Sequence, residues 1–384
     1  MIPYGKQHIN AQDIAAVEAV LRSDFLTQGP VVPRFEHAIA EYCDVKFGVA
    51  VNSATSALHI ACLALDVGVG DIVWTTPNTF VASANCARYC GADVDFVDID
   101  PTTLNLCPIE LEKKLSQAKS IGKLPKVLIP VHFSGESCDM EKIFSLSKEY
   151  GFSIIEDASH AIGGEYEGTK IGSCKYSDIT IFSFHPVKII TTAEGGLATT
   201  NDPLLARKMQ LLRSHGITRE PDELTNNEGG WYYEQQLLGF NYRMTEMQAA
   251  LGLSQIEHLD EWIRIRHAIA DRYDSELKHL PLILPKRSRG YSALHLYVIQ
   301  LDESKTNIKR KDAYDSLKNS GIGVNIHYIP VHLQPDYSQF GFRAGNFPNS
   351  EIYYKRALSI PMFATLSKDQ QTTVINSLKE LFKP

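Results

Sequence analysis

Lys188 lies in ITIFSFHPVKIITTAEGGLATT, residues 179 to 200, among apolar and β-branched neighbours and just ahead of an acid and two glycines. An ammonium held at the end of such a strand loses hydration, and desolvation lowers a lysine pKa. The neutral amine so released is the nucleophile that forms a Schiff base with an aldehyde or ketone. The competing structural reading is a lysine that snorkels to water, and this run alone does not separate the two. FSIIEDASHA places Asp157 at the end of a second apolar strand, with His160 just after it. A carboxylate there needs a cation or several hydrogen bonds. A protonated pyridine nitrogen is one such cation, and an Asp against it beside a Schiff-base lysine is the pattern of pyridoxal phosphate chemistry. The alternative is an Asp that caps the following turn.

The third element is NSATSALHIACLAL. Asn52 to Ser56 form a turn from strand into helix, so backbone N–H groups and the hydroxyls of Ser53, Thr55 and Ser56 are expected to converge where the helix dipole is positive, which suits a phosphate. An ordinary Ser/Thr-rich N-cap has the same composition. Ser183, shortly before the lysine, offers another hydroxyl.

These residues need a scaffold that brings strand ends together. FGVAV, DIVWTT, DVDFVDI, KVLIPVHF, FSIIEDA and DITIFSF alternate with helical segments through the first half. Strands this apolar, separated by helices, predict an α/β fold with a mainly parallel sheet covered on both faces, binding its ligand beyond the carboxyl ends of the strands. Ahead of them, Asn10 is expected to cap a helix with Ile14, Val17 and Leu21 on one face, and a second helix carries Phe35, Ile39 and Tyr42. Residues 218 to 244, rich in turn formers and ending in aromatics, read as a long functional loop. A helical tract from about Glu246 to Leu280, a strand HLYVIQL, a helix around KRKDAYDSLKNSG, a strand IGVNIHY and closing helices predict a smaller α+β domain. The expected division is 1–250 for the large domain and 251–384 for the small one.

With 384 residues, 44% hydrophobic and 22% charged, the chain is long enough for two or three domains. A net charge of −7 and a pI near 6.0 argue against a general polyanion binder while leaving room for one phosphorylated ligand. MIPYGKQHIN has no apolar signal core, and the expected location is cytoplasmic. Seven scattered cysteines without a CxxC pair read as free thiols. No HExxH occurs, and His327 and His332 flank a proline, so no metal is expected; G-x-S-x-G and G-x-G-x-x-G are also missing. Gly163-Gly164 and Gly195-Gly196 read as turns or close-approach sites, and Arg213 and Arg243 as candidates for a diphosphate or carboxylate.

NSATSA, EDASHA and SFHPVKIITTAEGG, in this order, resemble the DegT/DnrJ/EryC1 family of nucleotide-sugar aminotransferases, and so do GKQHINAQDIAAVEAVLRSDFLTQGP, GFNYRMTEMQAALGLSQI and VNIHYIPVHLQPDY. Nearly the whole chain is covered, and the branch it is most similar to serves pseudaminic acid biosynthesis. The resemblance implies a fold type I pyridoxal-phosphate enzyme, an aspartate aminotransferase-like α/β fold. Lys188 would carry the cofactor as a Schiff base, with pyridoxamine phosphate as the intermediate form, and Asp157 would face the ring nitrogen. Phe80 would stack on the ring, Thr55 and Ser183 would hold the phosphate beside Ala54, and Asn241 would reach it from the second subunit of a homodimer. His160 would sit near the phenolic oxygen. Tyr4, the stretch Asp24, Phe25, Leu26 and Thr27, Ala54, and His327, Tyr328, Ile329 and Pro330 would line the substrate pocket. The implied reaction moves an amino group from L-glutamate to C4 of a UDP-linked 4-keto-6-deoxy-N-acetylhexosamine, releasing 2-oxoglutarate. The other readings are a different UDP- or dTDP-4-keto sugar, and a cofactor-binding regulator without turnover. Lys188 stands where sugar 3-dehydrases of the family carry His, and Ala193 stands where many relatives have Gly.

Overall fold

The computed structural model describes residues 1–287 and 290–383. The apolar runs of the first half form one seven-stranded sheet from β1 (Phe47–Val51), β2 (Ile72–Thr75), β3 (Asp93–Phe96), β4 (Val127–Ile129), β5 (Ser153–Asp157), β6 (Ile179–Ser183) and β7 (Gly196–Thr200). Their order is β1-β7-β6-β5-β4-β2-β3. The run from β6 through β5, β4 and β2 to β3 is parallel, and β7 lies antiparallel between β6 and β1. Sequence patterning did not reveal β7. Its five residues, GLATT, carry only one large apolar side chain, yet all are buried because neighbours flank it on both edges.

The main helices are α1 (Ala11–Leu21), α2 (Val31–Cys43), α3 (Ala54–Ala64), α4 (Ala82–Tyr89), α5 (Pro108–Ser120), α6 (Met140–Tyr150), α7 (Pro203–Arg213), α8 (Glu246–Ile256), α9 (Leu259–Leu277), α10 (Arg310–Asn319), α11 (Pro348–Arg356) and α12 (Lys368–Leu381). Asn10 caps α1 in a capping box with Asp13. The face expected to be buried is not: Ile14 and Leu21 are exposed, whereas Asp13 and Val20 are inside. The inward face packs on α8, where Gln255 Nε2 donates to Asp13 Oδ2 at 2.7 Å and satisfies the buried acid. α2 has no side-chain cap of its own. The buried Glu246 carboxylate supplies one, accepting the Val31 N–H at 2.6 Å and the Val32 N–H at 3.2 Å.

The tract expected as one long helix is broken at Glu257–His258, where α8, packed on α1 and α2, gives way to α9. Beyond α9 a second sheet of β8 (Leu282–Ile283), β9 (Tyr297–Leu301) and β10 (Ala357–Ile360) is antiparallel throughout. IGVNIHY is not a continuous strand. Isolated bridges Ile2↔Ile322 and Asn325↔Ser359 hold it, because the chain's first residues occupy one of its sides. Ile2 N–H donates to Gly321 O at 2.8 Å, and Gly323 N–H donates back to Ile2 O at 2.6 Å. Residues 218–244 form a loop with a short hairpin pairing Ile217–Thr218 with Glu234–Gln235. The Glu234 carboxylate ties this loop together, accepting from Thr225, Asn226 and Tyr232. Among the described residues no helix is long and apolar enough to cross a membrane, and all seven cysteines are free.

Candidate active site

β5 and β6 are parallel neighbours, so their carboxyl ends open on the same edge of the sheet. Side chains alternate along β5, and the consecutive acids Glu156 and Asp157 therefore part to opposite faces. Glu156 is structural. His132 Nδ1 accepts the Cys138 N–H, which leaves its proton on Nε2 to donate to Glu156 Oε2 at 2.7 Å, and Ser177 and Thr180 donate as well. Asp157 is buried with its carboxylate held by two donors, Ser83 Oγ to Oδ2 at 2.6 Å and the Ser159 N–H to Oδ1 at 3.1 Å. Ser83 comes from α4 and also meets Thr79 Oγ1 at 2.8 Å.

Lys188 sits in the turn after β6, its N–H donating to His185 O at 2.8 Å. Among the described residues its ammonium makes no hydrogen bond or ion pair. Burial pushes its pKa down to about 8, with the Asp157 charge opposing the shift. Around it stand His160, His327, Tyr328 and Tyr4. His160 Nδ1 accepts the Ser134 N–H at 3.2 Å, so Nε2 carries the ring proton facing Tyr328 Oη at 3.0 Å. Burial, reinforced by the Lys188 charge, keeps His160 neutral. His327 is also held neutral, pushed down to about 3 by burial and by Lys188. Asn325 presents its amide nitrogen to His327 Nε2, because Asn325 Oδ1 accepts the Ile326 N–H; His327 Nδ1–H then donates to Ser359 Oγ at 2.7 Å. Tyr4 packs its ring 5.4 Å from that of His327. The Tyr328 hydroxyl is raised well above its ordinary range by burial and by the Asp157 charge, so it stays protonated.

The turn into α3 is only partly as expected. Ser53 is the N-cap, accepting the Ser56 N–H at 3.1 Å, and Ser56 Oγ donates to Asn52 Oδ1 at 2.6 Å. Two of the three expected hydroxyls are thus engaged in the cap, and Thr55 remains without a hydrogen-bond partner among the described residues. Ser183, at the end of β6, pairs in register with Gly196. A Cβ at Gly196 would lie 2.4 Å from Ala54 N and 2.5 Å from Ser53 O. Only glycine lets β7 pass this close to the turn, which gives the Gly195-Gly196 pair its reason. Ala193, at φ 65°, holds a left-handed conformation where glycine would be unstrained.

Phe80 is exposed, its ring 6.2 Å from that of Tyr328. Residues 241–245 run extended beside both remaining parts of the predicted pocket. Val51 bridges Arg243, the Asn52 N–H donates to Tyr242 O at 2.8 Å, and Thr27 bridges Thr245. This segment connects the α3 turn to the stretch Asp24 to Thr27, where Phe25 and Leu26 are exposed. The Asn241 side chain is exposed, and its backbone bridges Ser214. Arg213 is structural, paired with Glu36 and donating to Ala50 O, whereas Arg243 has no ion pair among the described residues. No group of three or more metal-ligating side chains occurs among them either. Sequence reasoning missed Ser83, Ser134 and the buried His295 beside His160. The one signal for Ser83 is a small polar residue in the first turn of α4, just after Phe80.

Chemically, the edge offers an unpaired amine, a fixed carboxylate, a helix N-terminus that β7 approaches backbone to backbone, and an aromatic ring free to cover a flat ligand. These features fit a phosphorylated pyridine aldehyde.

The sequence model of the DegT/DnrJ/EryC1/StrS aminotransferase family matches residues 7–379. The chain is 39% identical over 386 residues to the spore coat polysaccharide biosynthesis protein SpsC of Bacillus subtilis, covering 100% of this chain and 97% of that protein. It is 39% identical over 366 residues to the UDP-4-amino-4,6-dideoxy-N-acetyl-beta-L-altrosamine transaminase of Campylobacter jejuni, covering 94% and 92%. Among solved structures, Helicobacter pylori PseC, an aminotransferase involved in the biosynthesis of pseudoaminic acid, superposes with a TM-score of 0.90 at 32% identity over 99% of both chains.

Proposed function

This chain belongs to the DegT/DnrJ/EryC1/StrS aminotransferase family and is a pyridoxal-phosphate-dependent sugar aminotransferase; from that premise we propose that it moves the amino group of L-glutamate to C4 of a UDP-linked 4-keto-6-deoxy-N-acetylhexosamine. The observation that carries the reading is the unpaired, desolvated Lys188 amine beside Asp157 at one sheet edge. The sugar is chosen by similarity to the Campylobacter jejuni transaminase over 94% of this chain.

Pyridoxal phosphate, when bound, supplies an aldehyde to the amine and a ring that takes up the electrons of a breaking C–H bond. In this proposal Lys188 Nζ would anchor the cofactor, and its free amine would serve as the base that takes the proton from the donor's α-carbon. Its depressed pKa leaves a useful fraction uncharged near neutral pH. Asp157 keeps a proton on the ring nitrogen, and Ser83 fixes the carboxylate that does so. His160 Nε2–H donates a hydrogen bond to the Tyr328 oxygen, which leaves the Tyr328 proton free to point into the pocket. Thr55, Ser183 and the first N–H groups of α3 take the phosphate, with Asn241 of a second copy completing it in an obligate homodimer. Phe80 covers the ring. Tyr4, Asp24 to Thr27, Ala54 and His327 to Pro330 line the sugar site, so residues 1–250 supply the cofactor face and 251–384 one wall.

The test is glutamate with a panel of UDP- and dTDP-linked 4-keto sugars, reading 2-oxoglutarate and amino sugar. Turnover confined to the UDP 4-keto-6-deoxy-N-acetyl sugar is expected. Faster turnover of another sugar would replace the substrate, and full activity in Lys188→Ala would remove the lysine from its role.

A further inference from the structure

His295 is buried directly behind His160, their ring centroids 4.4 Å apart at 41°. Neither of its ring nitrogens has a hydrogen-bond partner among the described residues, and Nδ1 is sealed from solvent. A sealed polar atom without a partner is costly, so the ring must be held by something other than its own nitrogens.

The backbone holds it. The Ala293 N–H donates to Gly135 O at 3.0 Å, and Ser134 Oγ donates to Leu296 O at 2.7 Å. The two segments are so close that a Cβ at Gly135, itself at φ 99°, would lie 2.7 Å from Leu294 N and 3.0 Å from both His295 N and His160 O. Leu294 takes a left-handed φ of 49° to turn the chain there. From the other side Arg266 of α9 closes the grip. Its guanidinium is buried without a carboxylate partner among the described residues and donates from Nη1 to Leu294 O, His295 O and Met362 O at 3.1 to 3.3 Å. The Met362 N–H in turn donates to Tyr4 O at 2.9 Å.

We propose that His295 is a positioning residue whose ring face, clamped by Arg266 and by the Ser134–Gly135 backbone, fixes the His160 ring so that Nδ1 stays on the Ser134 N–H and Nε2–H stays on Tyr328. This goes deeper into the reading of His160 given above and rests on it. The groups facing His160 are Ser134 and Phe133 from the turn after β4, Tyr328 and His327 from the 322–328 segment, His295, and Lys188 after β6, with Asp157 acting on Tyr328. Burial above all, with the Lys188 and Arg266 charges adding to it, disfavours a proton on His295. A neutral wall therefore backs His160 throughout the working pH range.

Histidine-ring nitrogen NMR on holoenzyme labelled in histidine tests this, with the His160 signal assigned by its loss in His160→Gln. Wild type and His295→Phe, which keeps a flat ring, are expected to show one neutral, Nε2-protonated His160 from pH 6 to about 9. In His295→Ala, or in His295→Gln should alanine not fold, the His160 signal should split between tautomers or titrate. The glutamate half-reaction should slow about ten-fold with KM little changed, as expected of lost orientation. Arg266→Met should reproduce the alanine result. A His160 signal unchanged in both His295→Ala and His295→Gln, or a phenylalanine that fails to restore it, overturns the proposal. The spectrum reports on His160 whichever sugar is turned over, so failure here is distinct from failure of the substrate assignment.

Discussion

Ser83→Ala isolates what one hydroxyl does for the cofactor carboxylate. Ser83 Oγ donates to Asp157 Oδ2 at 2.6 Å, and among the described residues the only other donor to that carboxylate is the Ser159 N–H on Oδ1. A hydrogen bond to a charged group is worth about 1.5–3 kcal/mol. Two effects of its loss oppose each other. The carboxylate loses its orientation and leaves Thr79 without its 2.8 Å partner, which weakens its hold on a protonated ring nitrogen. It also becomes more basic, which strengthens that hold. The low end of the range is therefore the better expectation, about 1.5 kcal/mol, or roughly a ten-fold loss of affinity. The assay is reconstitution of apoprotein with pyridoxal phosphate, following the absorbance band for Kd and the single-turnover half-reaction with glutamate for rate. Alanine fits the space of serine, but buried Asp157 and Thr79 each lose a partner, so a modest fall in Tm should accompany the loss of affinity. If affinity and half-reaction rate both change less than two-fold, Asp157 does not depend on Ser83 and the reasoning fails.

Two further outcomes follow from the same geometry. The Lys188 pKa is depressed to about 8 from an ordinary 10.5, so the folded protein releases this proton before the unfolded chain does. Addition of pyridoxal phosphate to apoprotein should accelerate through pH 8 and level off above about 9, and Lys188 should add to apoprotein stability as pH rises from 8 toward 10.5, where the unfolded chain still binds the proton. A rate midpoint near 10.5 would show an ordinary exposed amine. Gly196→Ala should strip the protein of cofactor on dialysis, because the new Cβ meets the backbone of Ser53 and Ala54 rather than a movable side chain. The overpacking should also cost about 1–3 kcal/mol of stability; unchanged cofactor content and Tm would place the phosphate elsewhere.

The strand ends were legible because buried parallel strands are written as unbroken apolar runs, and the polar residue that ends such a run stands out. Lys188, Asp157 and the α3 turn could be found that way, and the structure brings all three to one sheet edge. His295 and Arg266 were hidden because their importance comes from contacts far off in sequence that no nearby residue marks, and Ser83 had only its place in the first turn of α4 to mark it. β7 was lost for a different reason: buried Gly, Ala and Thr between two strands give no apolar signal. The inward face of α1 packs on α8, where Gln255 satisfies the buried Asp13, and helical periodicity alone does not show it. The broken IGVNIHY strand reflects competition, since the first residues of the chain claim hydrogen bonds that a sheet neighbour would otherwise use.

That last arrangement bears on the order in which a ribosome can finish the enzyme. Ile2 and Tyr4 leave the exit tunnel long before Gly321, Gly323 and Met362, to which they bond. Synthesis proceeds at some 5–20 residues per second, so the opening segment waits many seconds with its eventual partners untranslated. The large sheet can assemble during that time, but the pocket wall that includes Tyr4 is a late event, and a nascent chain stalled before residue 320 should hold the sheet without a working site.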